Sequence, residues 1–129
     1  YVLEHVNRFS EINIMHMCGW SGEPNQIELW QDYPIKVVNW AVFVENMTLE
    51  QGRKFFGGRT CLGGYETHWD GRIQQGIIYH GTKEELQDYT RELILNHGKL
   101  GLMLGGDCTI DAKIDWERLR WIVEAARSL

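Results

Sequence analysis

The chain has 129 residues, 43% of them hydrophobic and 24% charged, which excludes a disordered segment and sets one domain over residues 1–129 as the expectation. Thirteen Lys and Arg stand against eighteen Asp and Glu, a formal net charge of −5; without a basic stripe to neutralise phosphates, nucleic acid is not an expected partner. No apolar run reaches the roughly 18 residues of a membrane span and the opening residues lack a targeting pattern, so no membrane partner and a cytoplasmic location are expected.

Tyr1 to Ser10 has apolar residues at 2, 3, 6 and 9 with no capping residue in front. It reads as a helix already under way, and the chain therefore as one piece of a longer polypeptide. Residues 11–17 have short apolar strand character and run into a turn at Cys18 to Gly22. Pro24 to Tyr33 fits a short helix, and Ile35 to Trp40 a β-branched second strand. Thr48 with Gln51 is a capping box that opens a helix ending near Gly57-Gly58, and Thr60-Cys61-Leu62 forms the third strand. From Gly63-Gly64 to His80 a long Gly- and aromatic-rich connection follows, of the kind that often lines a site. A second capping box, Thr82 with Glu85, begins a helix through Leu86, Tyr89, Leu93 and Ile94 to a stop at His97-Gly98. Leu100 to Leu104 is the fourth strand, Gly105-Gly106-Asp107-Cys108 turns out of it, and Asp115 caps a last helix from Trp116 to Ala126. The order α(βα)4 predicts an α/β fold of four parallel βα units with right-handed crossovers, half of a TIM (β/α)8 barrel.

Three cysteines, Cys18, Cys61 and Cys108, are an odd number at wide spacing, which favours reduced thiols or metal ligands over a disulfide framework. His16 and Cys18 lie two apart at a strand end, where the period of two puts both side chains on one face. Cys108 occupies the equivalent place just past strand four. Two thiolates and an imidazole suit tetrahedral Zn²⁺ with a fourth position open for substrate; the structural alternative is a buried strand cysteine and a satisfied histidine. On a flat sheet strands one and four lie about 14 Å apart, too far to share a metal. Convergence at a barrel mouth removes that obstacle, and on this reading a zinc site implies the other half of the barrel, from a missing segment or a second chain. Asn39 and Trp40 at the end of strand two, and Glu66 after strand three, are candidates for substrate binding, Glu66 alternatively as a further ligand or an exposed loop acid. Cys61 reads as a small core hydrophobe. His68, His80 and His97 have no partner spacing and take loop or cap roles. No residue stands out as catalytic.

Met15-His16-Met17-Cys18-Gly19, Asp32 to Trp40, Gly57 to Gly64, His80 to Glu85 and Gly101 to Cys108 together resemble the C-terminal half of the uroporphyrinogen decarboxylase family, a (β/α)8 barrel family. Within it the chain is most similar to the zinc-dependent, cobalamin-linked methyltransferases, whose His-x-Cys … Cys motif is matched by His16, Cys18 and Cys108. The resemblance implies zinc, a methyl group carried as methylcobalamin on a partner corrinoid protein, and a small-molecule acceptor such as a thiol, which zinc deprotonates for attack on the methyl group. It also implies an oligomer or a missing N-terminal half. Decarboxylases of the family place a histidine where this chain has Gly105-Gly106-Asp107-Cys108, a departure that counts against tetrapyrrole decarboxylation. The competing readings are a metal-free tetrapyrrole enzyme using carboxylates with Arg59 or Arg72, and a non-catalytic half-barrel that serves as a binding partner.

Overall fold

Four parallel strands form one sheet in sequential order, β1 (Ile14–Met17), β2 (Val37–Trp40), β3 (Thr60–Tyr65) and β4 (Leu102–Gly106). The computed structural model describes residues 1–68 and 76–129. Helices α1 (Val2–Val6), α2 (Leu49–Phe55), α3 (Ile77–His80), α4 (Lys83–His97) and α5 (Trp116–Arg127), with a 3₁₀ turn at Ile27–Trp30, complete an α/β fold. None is long and apolar enough to cross a membrane among the described residues.

The helix starts follow from local chemistry. Thr48 and Thr82 each accept the backbone N–H of the residue three further on, while Gln51 and Glu85 reach back to the cap backbone; Asp115 accepts from Glu117 N–H at the head of α5. Each closes donors that the first helical turn leaves open. Where burial decided, the elements differ from the sequence reading. The opening helix is five residues instead of ten and buries none of them, too short to persist on propensity alone. Pro24 to Tyr33 contracts to the single 3₁₀ turn, anchored by buried Ile27. The third strand continues through Gly63-Gly64 to Tyr65, so the expected connection begins later and contains α3. Trp69 and Arg72, within it, lie outside the described residues.

Register sorts the side chains into two faces. Met15, Val38, Cys61 and Leu102 stand in one row across the sheet and pack toward the helices, with Met17, Trp40, Leu49 and Phe56 in the same core. A second core joins Tyr65 to Ile78, Leu86 and Ile122 of α3, α4 and α5. One position along, His16, Asn39, Leu62 and Met103 form the neighbouring row, which by the period of two faces the other way. On that face Ile14 is 53% exposed and Met103 43%. The sheet therefore has one face packed on helices and another that is open at the outer strands β1 and β4, although Val37 and Asn39 of β2 are buried there; His16, Cys18 and Cys108 lie at its carboxyl edge.

Candidate metal centre

His16 is the third residue of β1, Cys18 follows its end, and Cys108 lies two residues beyond β4. One ligand atom from each sits within 4.8 Å of the others, and the two Sγ atoms are 3.6 Å apart. Among the described residues this is the only such cluster of three. The separation anticipated for a flat sheet does not arise. Strands twist relative to one another, and both cysteines project from segments that run on past the strand ends and turn toward each other. Within the four strands of this chain the three side chains already come together.

Each ligand is held from behind. The Cys108 N–H donates to Oγ1 of fully buried Thr67 at 2.9 Å. The Cys18 carbonyl accepts from Asn25 Nδ2 at 3.0 Å, and Asn25 is in turn fixed through its backbone and side-chain N–H groups by Glu45 Oε1. Nδ1 of His16 is bonded to Oδ1 of Asn39. The Asn39 Nδ2 donates to the carbonyls of Leu62, at 2.8 Å, and Gly106, at 3.2 Å, so the Asn39 oxygen must accept and His16 Nδ1 must carry the proton. That tautomer leaves Nε2 with its lone pair, the form a metal requires.

Between the strands, Asp107 is 2% exposed. Its Oδ1 accepts the Gly64 N–H at 2.8 Å, whereas Oδ2 is buried with no aligned donor. Burial pushes this carboxyl up to about 7, against the opposing pull of the Gly64, Val42 and Phe43 amides. Gly63 and Gly64, at φ 144° and 108°, make room for this arrangement: a Cβ on Gly63 would stand 3.1 Å from Asp107 Oδ1, and one on Gly64 2.9 Å from Leu93. Cys108, half-buried, has its thiol pushed up chiefly by burial. Cys61 is fully buried in the core with its thiol pushed up to about 11 by burial, which makes it an inert packing residue.

The other candidates are placed apart from the ligands or take different parts. Asn39 is 6% exposed with its amide committed as above, so within this chain it orients His16 and presents no free polar group to a substrate. Trp40 is fully buried on the helical side of the sheet and donates from Nε1 to the Met47 carbonyl at 2.9 Å; no face of its indole is open to a ligand. Glu66 is half-buried and outside the metal cluster, its Oε1 2.9 Å from Nδ1 of His68, a distance for ion pairing with the ring N–H not aligned on the carboxylate. Both line a small cleft that Asp107 and Cys108 also border. Arg59 precedes the first residue of β3, at the opposite end of the strands from the ligands. The chain matches no family model and no curated protein. The sequence marks Asp107 only as part of the turn after strand four and Thr67 not at all; their places beside Gly64 and Cys108 appear only once β3 and β4 are in register.

Two thiolates and a neutral imidazole fit a borderline-soft divalent cation in a three-ligand site with an open position. By donor chemistry and proximity the three residues could hold a metal ion.

Proposed function

We propose that this chain is the metal-bearing, C-terminal half of a TIM-type (β/α)8 barrel related to the uroporphyrinogen decarboxylase family, and that it takes part in moving a methyl group between a corrinoid protein and a thiol acceptor. The observation that carries the reading is the meeting of His16, Cys18 and Cys108 within 4.8 Å at the carboxyl edge of a parallel sheet, where α/β enzymes place their chemistry. When bound there, zinc supplies the Lewis acidity that turns a neutral thiol into a nucleophile at ordinary pH.

The chain's own residues account for the rest. His16 offers Nε2 because Asn39 holds Nδ1–H. Cys18 and Cys108 bring two negative charges that balance a dication and leave the open position neutral overall, so that an incoming thiolate makes the site anionic and nucleophilic. The anchors Thr67 and Asn25 fix the two cysteine backbones, which limits reorganisation as an acceptor binds. The open face carrying Ile14 and Met103, and the unpaired outer edges of β1 and β4, are the surfaces that the other four strands of a barrel would cover. Those strands come from an adjoining half or from a second chain.

The test is zinc content by elemental analysis of the purified, reduced protein, with Cys18→Ser in parallel. About one zinc per chain, lost in the variant, supports the reading. Undiminished zinc in Cys18→Ser overturns the ligand assignment. Methyl transfer from methylcobalamin to a small thiol, followed by the change in corrin absorbance, then tests the reaction itself. A tetrapyrrole decarboxylase gains nothing from two convergent thiols, and no observation favours it.

A further inference from the structure

Cys18 and Cys108 have a second chemistry available to them. Their sulfurs are 3.6 Å apart, about 1.5 Å beyond a disulfide bond of roughly 2.05 Å. Cys18 is exposed and Cys108 half-buried, so a small oxidant reaches the first and the second stands directly behind it. Both belong to segments beyond the strand ends, where a closure of this size is absorbed by loop dihedrals without breaking the sheet ladder. The third thiol, Cys61, is fully buried in the core and cannot compete.

We propose that Cys18 and Cys108 are a modification site, forming a reversible intrachain disulfide on exposure to a hydroperoxide and thereby dismantling the metal centre. The consequence for the metal rests on the zinc reading above; the thiol pair rests on geometry alone. The Cys18 sulfur attacks one oxygen of hydrogen peroxide, the O–O bond breaks, and water leaves as Cys18 becomes a sulfenic acid. The Cys108 sulfur then attacks the Cys18 sulfur; the S–S bond forms, the S–O bond breaks, and a second water departs. The two sulfurs together give up two electrons, the peroxide accepts them, and the two thiol protons end in water. A dithiol reductant reverses the step by two exchanges, itself becoming a disulfide. A disulfide retains no thiolate, and His16 by itself is a poor site for a dication, so the ion is released.

The experiment treats the reduced protein, zinc-loaded and zinc-free, with graded hydrogen peroxide. Free thiols are counted, non-reduced peptides are mapped by mass, and released zinc is followed with a chromophoric chelator. The expected result is a fall from the three thiols of the chain to one, a Cys18–Cys108 peptide from protein of single-chain mass, one zinc freed per crosslink, and recovery with a dithiol. In Cys61→Ser the thiol count falls from two to none, while the Cys18–Cys108 peptide, the zinc release and the recovery are the same. In Cys108→Ser the oxidation stops at a sulfenic acid on Cys18 that a dimedone-type probe traps. Oxidation of Cys18 to sulfinic acid without the intrachain crosslink, or crosslinks only between chains, overturns the inference even if zinc binds as proposed. A Cys18–Cys108 crosslink in a protein that binds no zinc upholds the thiol pair and overturns the metal reading instead.

Discussion

Asn39 stands level with His16 on the adjacent strand and holds its Nδ1 through the side-chain oxygen. The amide is itself pinned, because its nitrogen serves the carbonyls of Leu62 and Gly106. A single side chain thus ties β1, β2, β3 and β4 together and selects the imidazole tautomer. Asn39→Leu keeps the branched shape and removes all three bonds, so zinc affinity is expected to fall by about 10- to 100-fold, the usual effect of losing a partner behind a metal ligand. Competition with a calibrated chelator measures it, with circular dichroism to show that the variant folds. Unchanged affinity in a folded variant removes Asn39 from this role.

Asp107 gives the metal-free protein a pH signature. Its carboxyl titrates at about 7 folded against 3.8 ordinarily, so between those values the folded chain keeps a proton that the unfolded chain has released. Stability therefore falls as pH rises from about 4 to about 7 and levels off above it, by on the order of 4 kcal/mol at the limit. Asp107→Asn removes that dependence. The difference between variant and wild type in urea unfolding should be near zero at pH 4 and favour the variant at pH 8. A difference that does not change with pH defeats the assignment.

What was readable beforehand was whatever the chain decides locally. The caps at Thr48, Thr82 and Asp115 are short-range hydrogen-bonding patterns, and they fix α2, α4 and α5 wherever the rest of the chain lies. The alternation of short strands with helices gave the parallel order for the same reason. Gly63-Gly64 misled because two glycines ordinarily end a strand; here they continue it, since Asp107 and Leu93 occupy the space their side chains would take. The part played by Asn39 was hidden because it depends on register with His16, which separations of 23 residues do not encode. The approach of the Cys18 and Cys108 sulfurs to 3.6 Å depends on how the segments beyond β1 and β4 bend, which a separation of 90 residues does not encode.

Gly64→Ala tests that account of the strand. A side chain at φ 108° is strained, and the added methyl meets Leu93 at 2.9 Å and Leu49 at 3.2 Å. The backbone term alone is worth about 1–3 kcal/mol, and crowding of the core adds a comparable amount. The variant is expected to unfold at lower denaturant by about 2 kcal/mol or more, with the m-value unchanged. Wild-type stability would show that the close approach of α4 to β3 is not a constraint.

Glu66 separates a ligand from a neighbour. Its carboxylate faces His68 at 2.9 Å and borders the same cleft as Cys108, yet it is outside the group of ligand atoms that meet at His16, Cys18 and Cys108. Glu66→Gln keeps the shape and removes the charge. A half-buried carboxylate–imidazole contact of this kind contributes at most about 1 kcal/mol, so the fold survives, and zinc content and affinity are expected to match wild type while Cys108→Ser loses the metal. A carboxylate bound to zinc would behave differently, since its neutral amide is a far weaker donor to the ion. A tenfold or greater loss of zinc affinity in Glu66→Gln would therefore place the Glu66 oxygen on the metal and fill the open position that thiol chemistry requires, which would argue against a thiol acceptor and for a closed, structural site.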